Sequence, residues 1–176
     1  MYVKGRCSKM WRQISERLQD YPGRQKVARA LVELGLSVRE GTKIYCGGIE
    51  LSDVKIARQL GVDRRTVRDT AQLLSTDPVL KSVFERIRPA GPFLADAAKF
   101  LGYSVIEIYA DSHTVGIVAQ AAALIAQENI AIRQAVADDP DLTPEPKLTL
   151  VVEKEPSGGI LQKMLKIPGV SKISAY

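Results

Sequence analysis

Residues 54–69 read VKIARQLGVDRRTVRD. Ile56, Ala57 and Leu60 recur at the spacing of one short helix, Gly61 permits a sharp turn, and Val62 and Val67 anchor a second helix against the first. Asp63 stands where a helix N-cap belongs, so DRRTVRDTAQLL is expected to begin a helix with Arg64 and Arg65 in its first turn. Cationic side chains there oppose the helix dipole, at a cost of roughly a few tenths of a kcal/mol each. Two short packed helices joined at a glycine form a helix-turn-helix, and the misplaced charges ask for a partner.

In such motifs the N-terminal part of the second helix enters the major groove of DNA. Arginine there grips guanine O6 and N7 in bidentate fashion, worth about 1–3 kcal/mol of discrimination per good pair. Arg64, Arg65, Thr66, Arg68 and Asp69 are therefore the expected readout face on double-stranded DNA. Lys55 and Arg58, on the preceding helix, suit phosphates, which hold register but carry no sequence information. The plain alternative is a solvated basic face on a helical domain; the alanine, the turn glycine and the valines, all at the motif's own spacing, favour DNA. The reading needs guanidinium groups aimed at a duplex. Arginines folded into intramolecular ion pairs, or turned into the molecule so that no groove could reach them, would defeat it.

Outward from this stretch, the charge is uneven. The net charge is +5, yet residues 1–100 hold 19 Lys/Arg against 11 Asp/Glu and residues 101–176 hold 6 against 9. One half suits a polyanion and the other does not. The 176 residues, 45% hydrophobic, are enough for one substantial core or two small ones. No apolar run approaches the roughly 18–20 residues that cross a bilayer, and the N-terminal stretch lacks the apolar core and cleavage site of a secretory signal. A cytoplasmic protein without membrane contact is expected. Cys7, Cys46 and the single His113 are too few soft ligands for a closed zinc site. Both cysteines read as structural thiols, a Cys7–Cys46 disulfide being disfavoured in the cytosol. No metal, cofactor or catalytic group is expected, since no paired carboxylates or nucleophile-base arrangement appears.

The pattern also changes near Gly102, which argues for two domains, 1–101 and 102–176, in an α+β chain. The first is expected to be all-helical. Met10, Trp11, Ile14 and Leu18 form one apolar stripe, and Val27, Ala30, Leu31 and Leu34 form a second that Gly35 ends. EGTKIYCGG marks a turn or short hairpin, and Ser52 is placed to cap the next helix. Further helices are expected over about 79–87 and 93–101. They are separated by RPAGP, which with Arg86 and Arg88 is the expected hinge. No glycine-tipped strand pair follows the second helix of the motif, though the short strands in IYCGGIEL precede it.

The second domain alternates. YSVIEIYA at 103–110 is a strand, and 115–127 a helix with Val115, Val118, Ala122 and Ile125 on one face. Strands follow at 130–137, 147–153 and 170–175, with a short helix in SGGILQKMLKIPGV and a solvated acidic loop, DDPDLTPEP, at 138–146. The order βαββαβ is that of a ferredoxin-like unit.

IEIYADSHTVGIVAQAAALIAQENIAI and GVSKISAY resemble an ACT domain, a small regulatory module that binds amino acids, over nearly all of 103–176. Val115 stands where that family usually has proline, and Ala131 where it often has asparagine. A physical argument runs alongside: the turn DSHTVG delivers backbone N–H groups at a helix N-terminus, which favours an anion such as an amino-acid carboxylate, and Gly116 lets a ligand approach the backbone. The expected ligand-binding residues are Asp111, Ser112, His113, Thr114, Val115, Gly116 and Ile117. The resemblance adds Glu128, Asn129 and Ile130, brought near through a dimer interface. More plainly, His113 is an exposed loop residue, Asp111 and Thr114 cap the helix, and Gly116 allows tight packing. Gly158 and Gly159 read as a helix start rather than a phosphate cradle.

The whole chain resembles archaeal proteins described as predicted regulators of amino-acid metabolism, with a helix-turn-helix domain followed by an ACT domain. The resemblance implies a non-enzymatic transcriptional regulator, a homodimer or higher oligomer through its ACT domains, whose DNA binding responds to an amino acid or another small-molecule effector. The alternative is a metabolite-binding regulatory subunit that docks on a metabolic enzyme through its helical domain.

Overall fold

The computed structural model describes residues 10–111 and 113–176. The chain is α+β and divides into two compact units at Gly91/Pro92. That lies ten residues before the expected boundary, for a reason found in the second unit.

In unit 1, α1 (Met10–Arg17) and α2 (Pro22–Glu33) are followed by β1 (Ser37–Arg39), β2 (Lys43–Cys46) and β3 (Ile49–Leu51), then α3 (Asp53–Leu60), α4 (Arg64–Thr76) and α5 (Pro78–Phe84). The expectation of an all-helical unit is corrected: the strands pair antiparallel in the order β1-β2-β3, and Gly47-Gly48 forms the tight loop of the second hairpin, with Gly47 at φ 61°. Strands of three or four residues are too short for alternation to show against the helices around them.

α4 is the central element, packing on α2, α3 and α5. Its Val67, Ala71 and Leu74 are buried, as are Ile14, Leu18, Val27, Leu31, Leu80 and Phe84 around it. In α2 the buried set is Val27, Ala28, Leu31 and Val32, whereas Leu34 is exposed, because the helix ends at Glu33 and the chain turns at Gly35, φ 62°. α5 runs over a shorter span than expected, with Asp77 capping it by accepting from the N–H groups of Val79 and Leu80 at 2.9 and 3.0 Å. Cys46 is a free thiol; Cys7 lies outside the described residues.

Unit 2 holds β4 (Ser104–Ala110), α6 (Ile117–Gln127), β5 (Ile132–Ala137), β6 (Lys147–Val152), α7 (Gly158–Leu165) and β7 (Val170–Ala175). The sheet order β5-β6-β4-β7, all antiparallel, is the ferredoxin-like arrangement. Ile106 and Ile108 of β4 and Leu148, Leu150 and Val152 of β6 pack with α6 and α7 to form the core. On α6 the buried face is Ile117, Ala121 and Ile125, so Ile125 alone of the expected stripe lies on it: Val115 precedes the helix and Val118 is half exposed. IVAQAAALIAQ has only two polar residues, which leaves the inward face to the sheet rather than to periodicity.

Residues 95–101 form a 3-10 helix, not an α-helix; its Ala95 and Ala98 pack on Val105 and Val151 of the sheet. Gln134 of β5 holds the strand of chain before it, accepting from Leu94 N–H at 2.9 Å and donating to Pro92 O at 2.7 Å. These contacts place 92–101 in unit 2.

Candidate nucleic-acid interface and effector cleft

α3 ends at Gly61, which takes a left-handed φ of 61° that an L-residue adopts only with strain. Two residues later Asp63 accepts from Arg65 N–H at 2.7 Å and caps α4. The helix-turn-helix spacing therefore follows from one glycine and one carboxylate. Ser52 precedes α3, but among the described residues its hydroxyl makes no capping bond; Asp53 holds the first turn instead, accepting from Val54 N–H at 2.8 Å.

The expected readout residues divide onto two flanks of α4. Arg64 and Arg68, four apart, face the start of α3: their Nε groups donate to one oxygen, Oδ2 of Asp53, at 3.0 and 2.6 Å. The bond from Arg64, with that from Arg68, holds the Asp53 carboxyl below its ordinary range. Arg65, Thr66 and Asp69 face the α1–α2 turn across an open cleft of about 480 Å³ that Tyr21, Gly23 and Arg24 also line. There Asp69 accepts from Arg24 Nη2 at 3.3 Å and lies 3.9 Å from Arg65 Nε. Arg24 also sits over the Tyr21 ring, 4.5 Å from its centroid. Asp69 is thus a partner of two arginines, its side chain 43% exposed. Lys55 and Arg58 are exposed on α3.

All three arginines of α4 point outward, with side chains 51%, 85% and 57% exposed for Arg64, Arg65 and Arg68. The geometry is thus mixed: the groups face solvent, yet each lies within ion-pair distance of an acid of its own chain. Asp53 and Arg24 were not singled out in the sequence. Asp53 lies eleven and fifteen residues from its partners, so no local pattern announces it, and an acid in a first helical turn reads simply as complementing the dipole.

In unit 2, an open cleft of about 210 Å³ lies between the start of α6, the end of β4 and the acidic loop. Of the expected ligand residues, Asp111, Thr114 and Ile117 line it, beside Asp138 and apolar Ile108, Val118 and Leu148. Ser112 lies outside the described residues. His113 is exposed in the turn, its N–H donating to Asp111 Oδ1 at 3.0 Å. Asp111 therefore closes the turn rather than capping α6, whose N-cap is Gly116 at φ 88°. Gly169 backs the turn: its carbonyl accepts from Asp111 N–H at 2.9 Å, and a Cβ there would lie 2.4 Å from Thr114 Oγ1.

Glu128, Asn129 and Ile130 are not at this cleft within the chain. They follow the far end of α6, where each has a structural task. The Glu128 carboxylate accepts from the N–H of Ser157 at 2.9 Å and from its hydroxyl, tying down the start of α7. Asn129 turns the chain at φ 52° and Ile130 is buried in the core. Gly158 and Gly159 begin α7. Among the described residues no helix is long and apolar enough to cross a membrane, and no group of His, Cys, Asp or Glu is placed to hold a metal ion.

No family model and no curated protein matches the chain. Solved structures that resemble it include the crystal structure of PH0061, 12% identical over 88% of each chain with a TM-score of 0.30. Another is that of an AsnC family transcriptional regulator from Agrobacterium tumefaciens, 13% identical over 88% of this chain and 87% of that one, with a TM-score of 0.27.

Proposed function

We propose that the chain is a ligand-responsive transcriptional regulator, with no catalytic activity, in which α3 and α4 bind double-stranded DNA and unit 2 binds a small effector. The observation that carries the reading is the start of α4: a helix capped by Asp63, set by the Gly61 turn, and presenting three outward arginines, two of them in the first turn, where the dipole disfavours them. The ion pairs meet in geometry the condition set against this reading, but they leave all three side chains more than half exposed and are weak. Pairs this exposed are worth about 0–1 kcal/mol, and Asp53 takes one N–H, Nε, from guanidinium groups that carry five each. Lys55 and Arg58 supply phosphate contacts in this reading. A dimer formed through unit 2 would present two such helices to half-sites about 34 Å apart.

An amino acid is the effector class the cleft suits. The N-terminus of α6 attracts a carboxylate, while Asp111 and Asp138, which line the cleft with a Lys147 already paired to Glu107, attract an ammonium group. A thermal-shift screen of the twenty amino acids tests this part; no shift with any of them removes the amino-acid assignment.

DNA binding is tested by fluorescence anisotropy with labelled duplexes of random sequence over a salt series. Affinity should fall steeply as salt rises, since bound phosphates release counterions. No binding at any ionic strength refutes the proposal. The second reading, a regulatory subunit docking on an enzyme, is favoured by one observation: Asp53 and Asp69 compensate the arginine charge within the chain, as suits a protein contact. That subunit would be silent on DNA.

A further inference from the structure

Asp53 is fixed at both oxygens. Oδ1 accepts from the backbone N–H of Val54 at 2.8 Å, and Oδ2 receives both guanidinium groups, Arg64 at 3.0 Å and Arg68 at 2.6 Å. Its side chain is 24% exposed, against 51% and 57% for the arginines, so the carboxylate lies beneath the groups it holds. It belongs to α3 and they belong to α4, so the contact depends on the crossing of the two helices that Gly61 sets.

The atom used matters. A guanidinium group is a rigid planar fork with five donors, and bidentate recognition of guanine O6 and N7 uses a pair of them. A carboxylate bonded at Nε leaves the end-on pair, Nη1 and Nη2, for another acceptor. The arginine side chain otherwise carries about 2 kcal/mol of rotamer entropy, which a contact with a base must overcome unless something has already restrained it. One anion between two cations four residues apart also relieves their mutual repulsion. Asp53 has the geometry to do both.

We infer that Asp53 is a specificity-determining positioning residue, which holds Arg64 and Arg68 by Nε so that their Nη pairs are presented together to base edges in the major groove. This rests on the DNA-binding reading and deepens it. It makes Asp53 different from a competitor that merely masks positive charge. A mask lowers affinity for every sequence alike; a positioning residue lowers affinity for random duplexes and raises discrimination among them.

Selection from a library of randomised 20-base-pair duplexes, followed by anisotropy on the enriched duplex and on a scrambled one, separates the two. Wild type and Asp53→Asn are run on the full chain, with Asp53→Glu as a second variant that keeps the charge and moves it by one methylene. Asp53→Asn should bind the scrambled duplex several-fold more tightly, having lost one negative charge, while the ratio of affinities for enriched over scrambled falls about tenfold. Asp53→Glu should lose discrimination with scrambled binding unchanged. Equal discrimination in wild type and both variants overturns the inference and leaves DNA binding standing. A wild-type protein that binds the scrambled duplex but enriches none overturns the inference alone, and one that binds no duplex overturns both. Because a merely structural role for Asp53 would not tighten binding to scrambled DNA, loss of affinity for both duplexes in both variants also overturns it.

Discussion

Gly35 and Gly61 share a left-handed backbone, φ 62° and 61°, but not a neighbourhood. A Cβ at Gly61 meets nothing within 4 Å, whereas one at Gly35 lies 2.7 Å from the carbonyl carbon and oxygen of Arg88 and from the nitrogen of Pro89. Alanine at either position incurs the left-handed strain of about 1–2 kcal/mol. At Gly61 that is the whole effect. At Gly35 the intruding methyl meets backbone, which has no rotamer to escape into, and overpacking of this kind adds about 1–3 kcal/mol. For a unit of this size each kcal/mol lowers the midpoint by roughly 4–8 °C. Trp11 is the single tryptophan and lies in α1, so its emission during heating reports on unit 1. Gly61→Ala should lower the midpoint by about 4–16 °C and Gly35→Ala by about 4–24 °C more than that, with Gly61→Asn milder than Gly61→Ala because asparagine tolerates the left-handed region. Equal shifts for the two alanine variants would refute the reasoning, since they would mean that the 88–89 backbone yields freely.

Other consequences can be measured in the same way. Asp77→Ala removes the cap of α5 and should cost about 1 kcal/mol in urea unfolding followed by Trp11. Asp53 and Asp77 are both held below their ordinary range, by Arg64 and by the N–H of Leu80 respectively. Each therefore binds a proton less readily folded than unfolded, and its contribution is complete above about pH 4 and lost as pH falls through the folded values. Stability of unit 1 should be level from neutral pH to about pH 5 and decline below about pH 4, less steeply in Asp53→Asn. On DNA, Lys55→Ala and Arg58→Ala should weaken binding alike for all sequences and reduce the salt slope by about one each; a change of sequence preference would show that they touch bases. Gly169→Ala, which drives a methyl into Thr114, should weaken the thermal shift produced by whichever amino acid binds, and an unchanged shift would place the effector elsewhere.

Much of this molecule is legible locally. The turn at Gly61, the cap at Asp63 and the six elements of unit 2 follow from patterns only a few residues long, because helix and strand periods and left-handed glycines are properties of neighbouring residues. The acidic loop at 138–146 behaves likewise: prolines and charges keep it out of the sheet that β5 and β6 form on either side. The phase of α6 was not legible, since a helix that is apolar nearly all round has no face until a sheet selects Ile117, Ala121 and Ile125. Nor was the sheet in unit 1, whose strands are defined by their pairing more than by their composition.

What residues 54–69 determined alone is that two helices meet at a glycine and that arginines crowd the second. Which way those arginines are held was decided elsewhere. Asp53 reaches Arg64 and Arg68 across the crossing of α3 and α4, Arg24 reaches Asp69 from another helix, and Glu128 ties down Ser157 from 29 residues away. Spacing along a chain specifies which side chains share a face of one element; only the packing of whole elements against each other brings a carboxylate from one to a guanidinium on the next.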